Sequence, residues 1–338
     1  MLVACSGNNK IGYGHFFRCL SFVKFFSDVI DQPVFFFGDL DNFCRERLIQ
    51  ENIREISQSL DLFKMKSTDK HSLLIDSYDE SFIEKFRSRA KNVNVFALND
   101  SFYDSPYKKV GLDIDYIINV RAKAEIYDNF DCPNKLLGLK NFWGSKELWQ
   151  MRKMLEQKNL MHERLNLAVC FGGGITSFSD LMISALEVFS TIPIIEKRFF
   201  YITEWQYKSL KHSNPSVIEK YDMQPFESNV NNLLSKSDLL LNSGGLIKYE
   251  AALAGRLPIC VGGTPLQNED NKNFCALGLG LCFNDKKEIY ELSSKSLEGR
   301  IRLFFRVSKK VFDEANLVNA RRFVYEGTRH NSFSKRNL

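Results

Sequence analysis

The residue types best suited to chemistry appear early, in Gly7-Asn-Asn-Lys-Ile-Gly12-Tyr-Gly14-His15-Phe-Phe-Arg18-Cys19-Leu20. Glycines let a backbone turn tightly and approach a phosphate or sugar, and a following helix offers unpaired N–H groups and a positive dipole end. His15 at that helix start faces the ligand side, where the helix field favours the neutral imidazole a general base requires. The competing reading is a loop histidine with no chemical role. No Gly-Lys-Ser/Thr closes the loop, and Gly7…Gly12-x-Gly14 fails the dinucleotide fingerprint.

Three further groups carry chemistry. Leu74-Ile75-Asp76-Ser77-Tyr78 reads as a strand end that delivers Asp76 to orient an imidazolium and Tyr78 to bond a sugar or phosphate oxygen. A helix cap and a half-buried tyrosine explain the same residues, and Asn99-Asp100 has the same two readings. Phe171-Gly172-Gly173-Gly174 is a strand feeding a triple glycine, hence a phosphate cradle or a plain turn. In Asn242-Ser243-Gly244-Gly245, followed by a helix carrying Glu250, Ser243 and the glycine amides suit a diphosphate and the carboxylate suits a ribose diol.

These groups need strand ends and helix starts to hold them. Short apolar runs supply the strands: 2–5, 34–37, 73–75, 93–98, 116–118 and 136–139 in the first half, then 167–171, 199–202, 239–241, 259–261 and 281–283. Helical patterns between them predict α/β architecture with parallel sheets covered on both faces. The strand–glycine–helix beginning occurs twice, at Leu2 and at Leu167, with a charged helical stretch at 146–164 between. The expectation is two Rossmann-like domains, 1–164 with the histidine loop and 165–338 with a basic tail, with an interdomain cleft at the strand carboxyl ends.

Composition bounds the function. The 338 residues are 44% hydrophobic and 26% charged, a globular mix that excludes a disordered or collagen-like chain. Of the net charge of +5, four units fall between Asn319 and Leu338, so the near-neutral body shows no nucleic-acid footprint and the end reads as frayed and solvated. No apolar run reaches the ~18 residues of a membrane span, and the start lacks the pattern of a signal peptide, so a cytoplasmic location is expected. The eight cysteines form no C-x-x-C pair and read as reduced, buried small hydrophobes, and no metal site or cofactor is expected.

Together the motifs resemble the UDP-2,4-diacetamido-2,4,6-trideoxy-altropyranose hydrolases of pseudaminic acid biosynthesis and their spore-coat polysaccharide relatives. The I-G-x-G-H-x-x-R-C-L signature matches Ile11, Gly12, Gly14, His15, Arg18, Cys19 and Leu20, the D-x-Y strand end matches Asp76 and Tyr78, and the S-x-G/S-x-x-x-x-E block runs from Ser243 to Glu250. The D-x-x-x-N element resembles Asp115…Asn119, and the family's Asn-Gln pair falls on Asn268-Glu269. The loop that usually reads Gly-Gly-x-Asp is here Gly172-Gly173-Gly174-Ile175, and Gly138 to Lys146 keeps only the aromatic and basic character of another segment. The resemblance implies a GT-B-like two-domain fold and inverting hydrolysis of a UDP-linked diacetamido-sugar for surface-glycan synthesis, with His15 activating water and Tyr78 helping to position substrate. It places Gly12, Gly14, Arg18, Asp76, Asn99, Asp100, Asn268 and Glu269 near the sugar, and Gly172, Gly173, Gly174, Ser243, Gly244, Gly245 and Glu250 near UDP. The alternatives are a GT-B glycosyltransferase, which an exposed apolar or basic face on the first domain would favour, and a UDP-sugar 2-epimerase, at which Glu269 hints.

Overall fold

The computed structural model describes residues 1–8, 11–56, 71–87, 93–99, 105–127, 130–156, 164–171, 177–225, 230–262, 264–292 and 294–329. The chain forms two units, Met1–Trp143 with Asp313–Leu338, and Gly144–Phe312. The first holds the parallel strands β1 (Leu2–Cys5), β2 (Phe35–Phe37), β3 (Arg54–Glu55), β4 (Ser72–Asp76), β5 (Asn94–Leu98), β6 (Tyr116–Asn119) and β7 (Asn134–Leu137), in the order β3-β2-β1-β4-β5-β6-β7. The second holds β8 (Leu165–Cys170), β9 (Ile195–Phe200), β10 (Leu239–Asn242), β11 (Leu257–Val261) and β12 (Leu281–Phe283), in the order β12-β11-β10-β8-β9, again parallel.

β1, β4, β10 and β11 are buried at every residue, which explains their unbroken apolar runs: a central parallel strand has no solvent face to alternate with. Each sheet is doubly wound, and each strand order reverses once, between β1 and β4 in the first and between β8 and β10 in the second. Such a switch point parts the neighbouring loops at the carboxyl ends of the strands and leaves room for a ligand. The glycine-histidine loop and Asp76 lie at the first switch point, and Phe171 and Asn242 to Gly245 at the second.

The domain limits differ from those expected at Arg164. The charged segment forms helix Lys146–Glu156 and belongs with the second unit, where buried Arg152 donates to Ser308 Oγ at 3.2 Å. The chain end returns to the first unit as helix Leu317–Thr328. A Cβ on its Gly327 would lie 2.2 Å from the Phe96 ring, and Asn94 Nδ2 donates to Gly327 O at 2.7 Å. The end is therefore packed as far as Thr328, not frayed, while Lys335 and Arg336 lie outside the described residues.

Leu2–Cys5 and Leu281–Phe283 form as expected, whereas the strand sought at 136–139 forms at Asn134–Leu137, because Gly138 turns the chain at φ +84°. Cys5, Cys19, Cys44, Cys132, Cys170 and Cys260 are buried and outside any disulfide, but Cys275 and Cys282 form one, which corrects the all-reduced reading for that pair. Among the described residues, no helix is long and apolar enough to cross a membrane.

Candidate functional site

In the first unit, Asn8 builds the loop after β1. Its Oδ1 accepts from Ile11 N at 2.9 Å, its backbone carbonyl accepts from Gly12 N at 2.8 Å, and its Nδ2 donates to Asp39 at 2.7 Å. Gly12 takes φ +90°, which a side chain would strain, and helix Gly14–Phe25 then starts with no side-chain cap. A Cβ on Gly14 would meet nothing within 4 Å among the described residues, and its φ is ordinary, so none of their contacts requires glycine there.

His15 and Arg18 stand one turn apart on that helix, and both reach Asp76 at the end of β4. His15 Nδ1 lies 2.7 Å from Asp76 Oδ1, while Arg18 donates from Nε to Oδ2 and from Nη2 to Oδ1, both at 2.6 Å. Asp76 is only 1% exposed, and burial works to raise its pKa, but Arg18 and His15 outweigh that and hold the carboxyl below its usual range. With Asp76 ionised, the imidazole nitrogen facing it carries the hydrogen, which leaves Nε2 as the proton acceptor. Asp76 and Arg18 therefore engage each other and the histidine; the strand-end reading had Asp76 orient an imidazolium, while the resemblance set both residues near the sugar. The Tyr78 ring is half exposed and meets His15 edge-on with centroids 4.7 Å apart. Beneath Asp76, burial pushes the Cys19 thiol well up, so it packs as a neutral group. Tyr107, which carried no sequence signal, ties this edge together: its one hydroxyl hydrogen is shared between the carbonyls of Leu98 and Ile75, at 3.0 and 3.2 Å, and its oxygen accepts from Ser77 N.

Beside the loop, Ile11, Phe17 and Phe43 are 52%, 36% and 49% exposed. Phe43 packs against Tyr13 at 5.1 Å and Phe17 at 6.1 Å, and Tyr13 donates to Asp41, so these rings form an exposed aromatic cluster at the start of the helix, while His15 turns to Asp76 and Tyr78.

In the second unit, Gly244 and Gly245 follow β10 at φ +116° and +79° and lead into helix Leu246–Leu253, whose start has no side-chain cap. Ser243 Oγ is buried and donates to Phe171 O at 2.6 Å across the switch point, which ties the two loops together. Half-buried Glu250 lies one turn into the helix, and burial pushes its carboxyl up to about 7. Tyr201 at the end of β9 is raised to about 12, first by burial and then by nearby Cys170 and Glu250. Behind the loop, Lys248, Asp270 and Asn271 form a buried polar group that the sequence did not announce.

Other expected residues are more dispersed. Asn99 is buried at the end of β5, with its backbone N–H bonded to Ile118 O; Asp100 and Gly172, Gly173 and Gly174 lie outside the described residues. Asn268 and Glu269 occupy the first turns of helix Pro265–Ala276, exposed and half-buried. Asp115 and Asn119 serve the backbone, accepting from Val95 N and Arg121 N, and Trp143 is buried against Phe22 and Phe26. The Cys260 sulfur lies within 4.8 Å of those of Cys275 and Cys282, which are bonded to each other and so offer no thiolate.

No family model matches the chain. An uncharacterized protein of Methanocaldococcus jannaschii is 24% identical over 280 residues, 77% of this chain and 54% of that protein, so the chain spans about half the length of this curated relative. Among solved structures, MurG of Acinetobacter baumannii superposes with a TM-score of 0.61 at 13% identity, covering 96% of this chain and 99% of that one. A glycosyltransferase of Rickettsia africae gives 0.59 at 12% identity, with 98% of both chains covered. HepE of Anabaena, solved with UDP and glucose, gives 0.57 at 10%, covering 96% of this chain and 99% of that one. These likenesses establish the fold, two Rossmann-like units of the GT-B class.

Proposed function

We propose that the chain cleaves the anomeric C–O bond of a UDP-linked amino-sugar by single displacement, with His15 as general base. The observation that carries this is the His15–Asp76–Arg18 assembly at the first switch point, with Nε2 left as proton acceptor. His15 would take the proton of a hydroxyl nucleophile as its oxygen attacks the anomeric carbon. The bond to the diphosphate breaks, UDP departs with the electron pair, and Asp76 stabilises the imidazolium formed. Backbone amides at the start of helix Leu246–Leu253 suit the departing diphosphate, and Glu250 suits the ribose hydroxyls.

Two nucleophiles fit. Transfer to an acceptor alcohol is supported by the Rickettsia africae neighbour, which bears a glycosyltransferase name, and by the exposed apolar residues Ile11, Phe17 and Phe43 around the start of the helix that carries His15. Such residues suit an acceptor with a hydrophobic portion. Hydrolysis is the second reading, supported by the complete signature from Ile11 to Leu20, and it adds the diacetamido-trideoxyhexose and the nonulosonic acid route.

Phosphorus NMR of UDP release from UDP-2,4-diacetamido-trideoxyhexose, with and without an alkyl-chain alcohol, tests the reading. Release that requires the alcohol supports transfer. Equal release without it, with ¹⁸O from water entering the sugar, supports hydrolysis. Neither UDP release nor UDP binding would overturn the proposal.

A further inference from the structure

The loop after β10 contains one peptide plane that is gripped at both ends. The unit joining Ser243 to Gly244 presents its carbonyl to Asn271, whose Nδ2 donates at 3.2 Å, and its N–H to Asn242, whose Oδ1 accepts at 2.8 Å. Asn242 is 0% exposed and Asn271 4%, so neither bond competes with bulk water.

Each asparagine is itself fixed in orientation. Asn242 Nδ2 donates to the carbonyls of Leu240 and Ile259 at 3.3 and 3.2 Å, which leaves Oδ1 for Gly244. Asn271 Oδ1 accepts from Lys248 Nζ at 2.9 Å, and an ammonium can only donate, so Nδ2 must face Ser243. Lys248 is wholly buried and is anchored by Asp270 Oδ2 at 2.5 Å, while Asp270 also accepts from Tyr249. Gly244 completes the fit: a Cβ there would meet Asn271 Oδ1 at 2.7 Å.

We propose that Asn271, oriented by Lys248, is a positioning residue that locks the Ser243–Gly244 peptide, so that the amides at the start of helix Leu246–Leu253 are preset for a nucleoside diphosphate. This rests on the reading of that loop as the UDP site. A peptide free to flip would turn a carbonyl toward the anion, and holding it in advance spares the ligand that reorganisation. The ion pair of Lys248 with Asp270 thus acts on binding through an amide and a backbone plane, without touching ligand.

The test uses the full chain carrying Asn271→Leu, which removes both amide atoms at similar volume and keeps Lys248 on Asp270. Asn271→Asp, which keeps the contact to Lys248 but cannot donate to Ser243, serves if the first fails to fold. UDP affinity by calorimetry should fall about ten- to hundredfold, the loss expected when a buried hydrogen bond to a ligand loop is removed. Amide hydrogen exchange at Gly244 should quicken in the variant with no ligand present. Unchanged exchange at Gly244, or UDP affinity within about twofold of the parent in a folded variant, overturns the proposal. A parent that does not bind UDP would instead overturn the nucleotide reading, and the exchange measurement would still decide whether the peptide is locked.

Discussion

Both switch points rest on a buried aspartate, and the two are used differently. Asp76 bonds directly to the side chain that would take a proton, and its counter-charge Arg18 grips the same carboxylate. Asp270 pairs with Lys248, and that pair reaches the loop only through Asn271 and a backbone plane. The first arrangement suits a site where charge must change during a reaction, because a carboxylate against an imidazole stabilises the protonated ring. The second suits a site whose backbone must stay fixed while an anion arrives. Damage to the first should therefore appear in turnover, and damage to the second in affinity.

The largest effect should come from Asp76→Asn. An amide can donate to His15 Nδ1 and leave the hydrogen on Nε2, the wrong tautomer for a base, and turnover should fall about 10²- to 10⁴-fold with UDP affinity unchanged. A matching loss of UDP affinity would break the division of labour. The same variant tests stability against pH. Because the folded-state pKa of Asp76 is depressed, its ion pairs contribute fully above the usual carboxylate pKa of about 4 and are lost as pH falls through the lower folded value. Acid unfolding of the parent should carry that dependence, and the Asn variant should lack it.

Glu250→Gln should be the intermediate case, and it sharpens the comparison because stability and binding move in opposite directions. The Glu250 pKa is raised to about 7 by burial, so the folded chain holds a proton there that the unfolded chain has released. Stability from this group is therefore lost as pH rises from about 4.5 toward 7, by at most about 3 kcal/mol. Thermal melts should show the Gln variant gaining on the parent at pH 8 but not at pH 4. Its UDP affinity at pH 8 should drop about tenfold, since an amide cannot accept from both ribose hydroxyls as a carboxylate does. UDP has a titrating phosphate of its own, and the Gln variant supplies the baseline that removes it. A variant that gains stability and binds UDP as tightly as the parent would detach Glu250 from the ligand.

The two sites were unequally legible in the sequence. Glycines, a histidine and an arginine three residues on announce the first, and Asp76 announces itself at the end of an apolar strand. Their union needed only β1 beside β4, which double winding supplies. The second shows its glycines and Glu250, but Lys248 has the look of an ordinary surface position on a helix. Its one available signal was a cation between Ile247 and Tyr249 in a helix that is otherwise largely apolar. Asp270 and Asn271 follow Asn268 and Glu269 in an unbroken polar run, and only helix packing separates the buried pair from the more exposed one. Ser243 shows the converse: its type suited a phosphate, but the nearness of β8 and β10 gave its hydroxyl a carbonyl partner. The helix that returns to the first unit was hidden because its basic residues resembled a solvated tail, while Gly327, which allows the approach to Phe96, looks like any other glycine.

The smallest effect in stability, and the cleanest separation, should come from Gly14→Ala. With an ordinary φ and no neighbour within 4 Å among the described residues, glycine is not required here by their packing, since alanine would fit and would restrict the unfolded chain more. The substitution should therefore stabilise the chain by about 0.5 kcal/mol, seen as a small rise in melting temperature. If the open space before His15 is where the sugar lies, the added methyl should cut turnover about tenfold or more while leaving UDP affinity alone, because that methyl stands on the first unit and not on the loop after β10. A variant that is both more stable and fully active would mean that the space in front of Gly14 is not used, and would move the sugar away from the start of this helix.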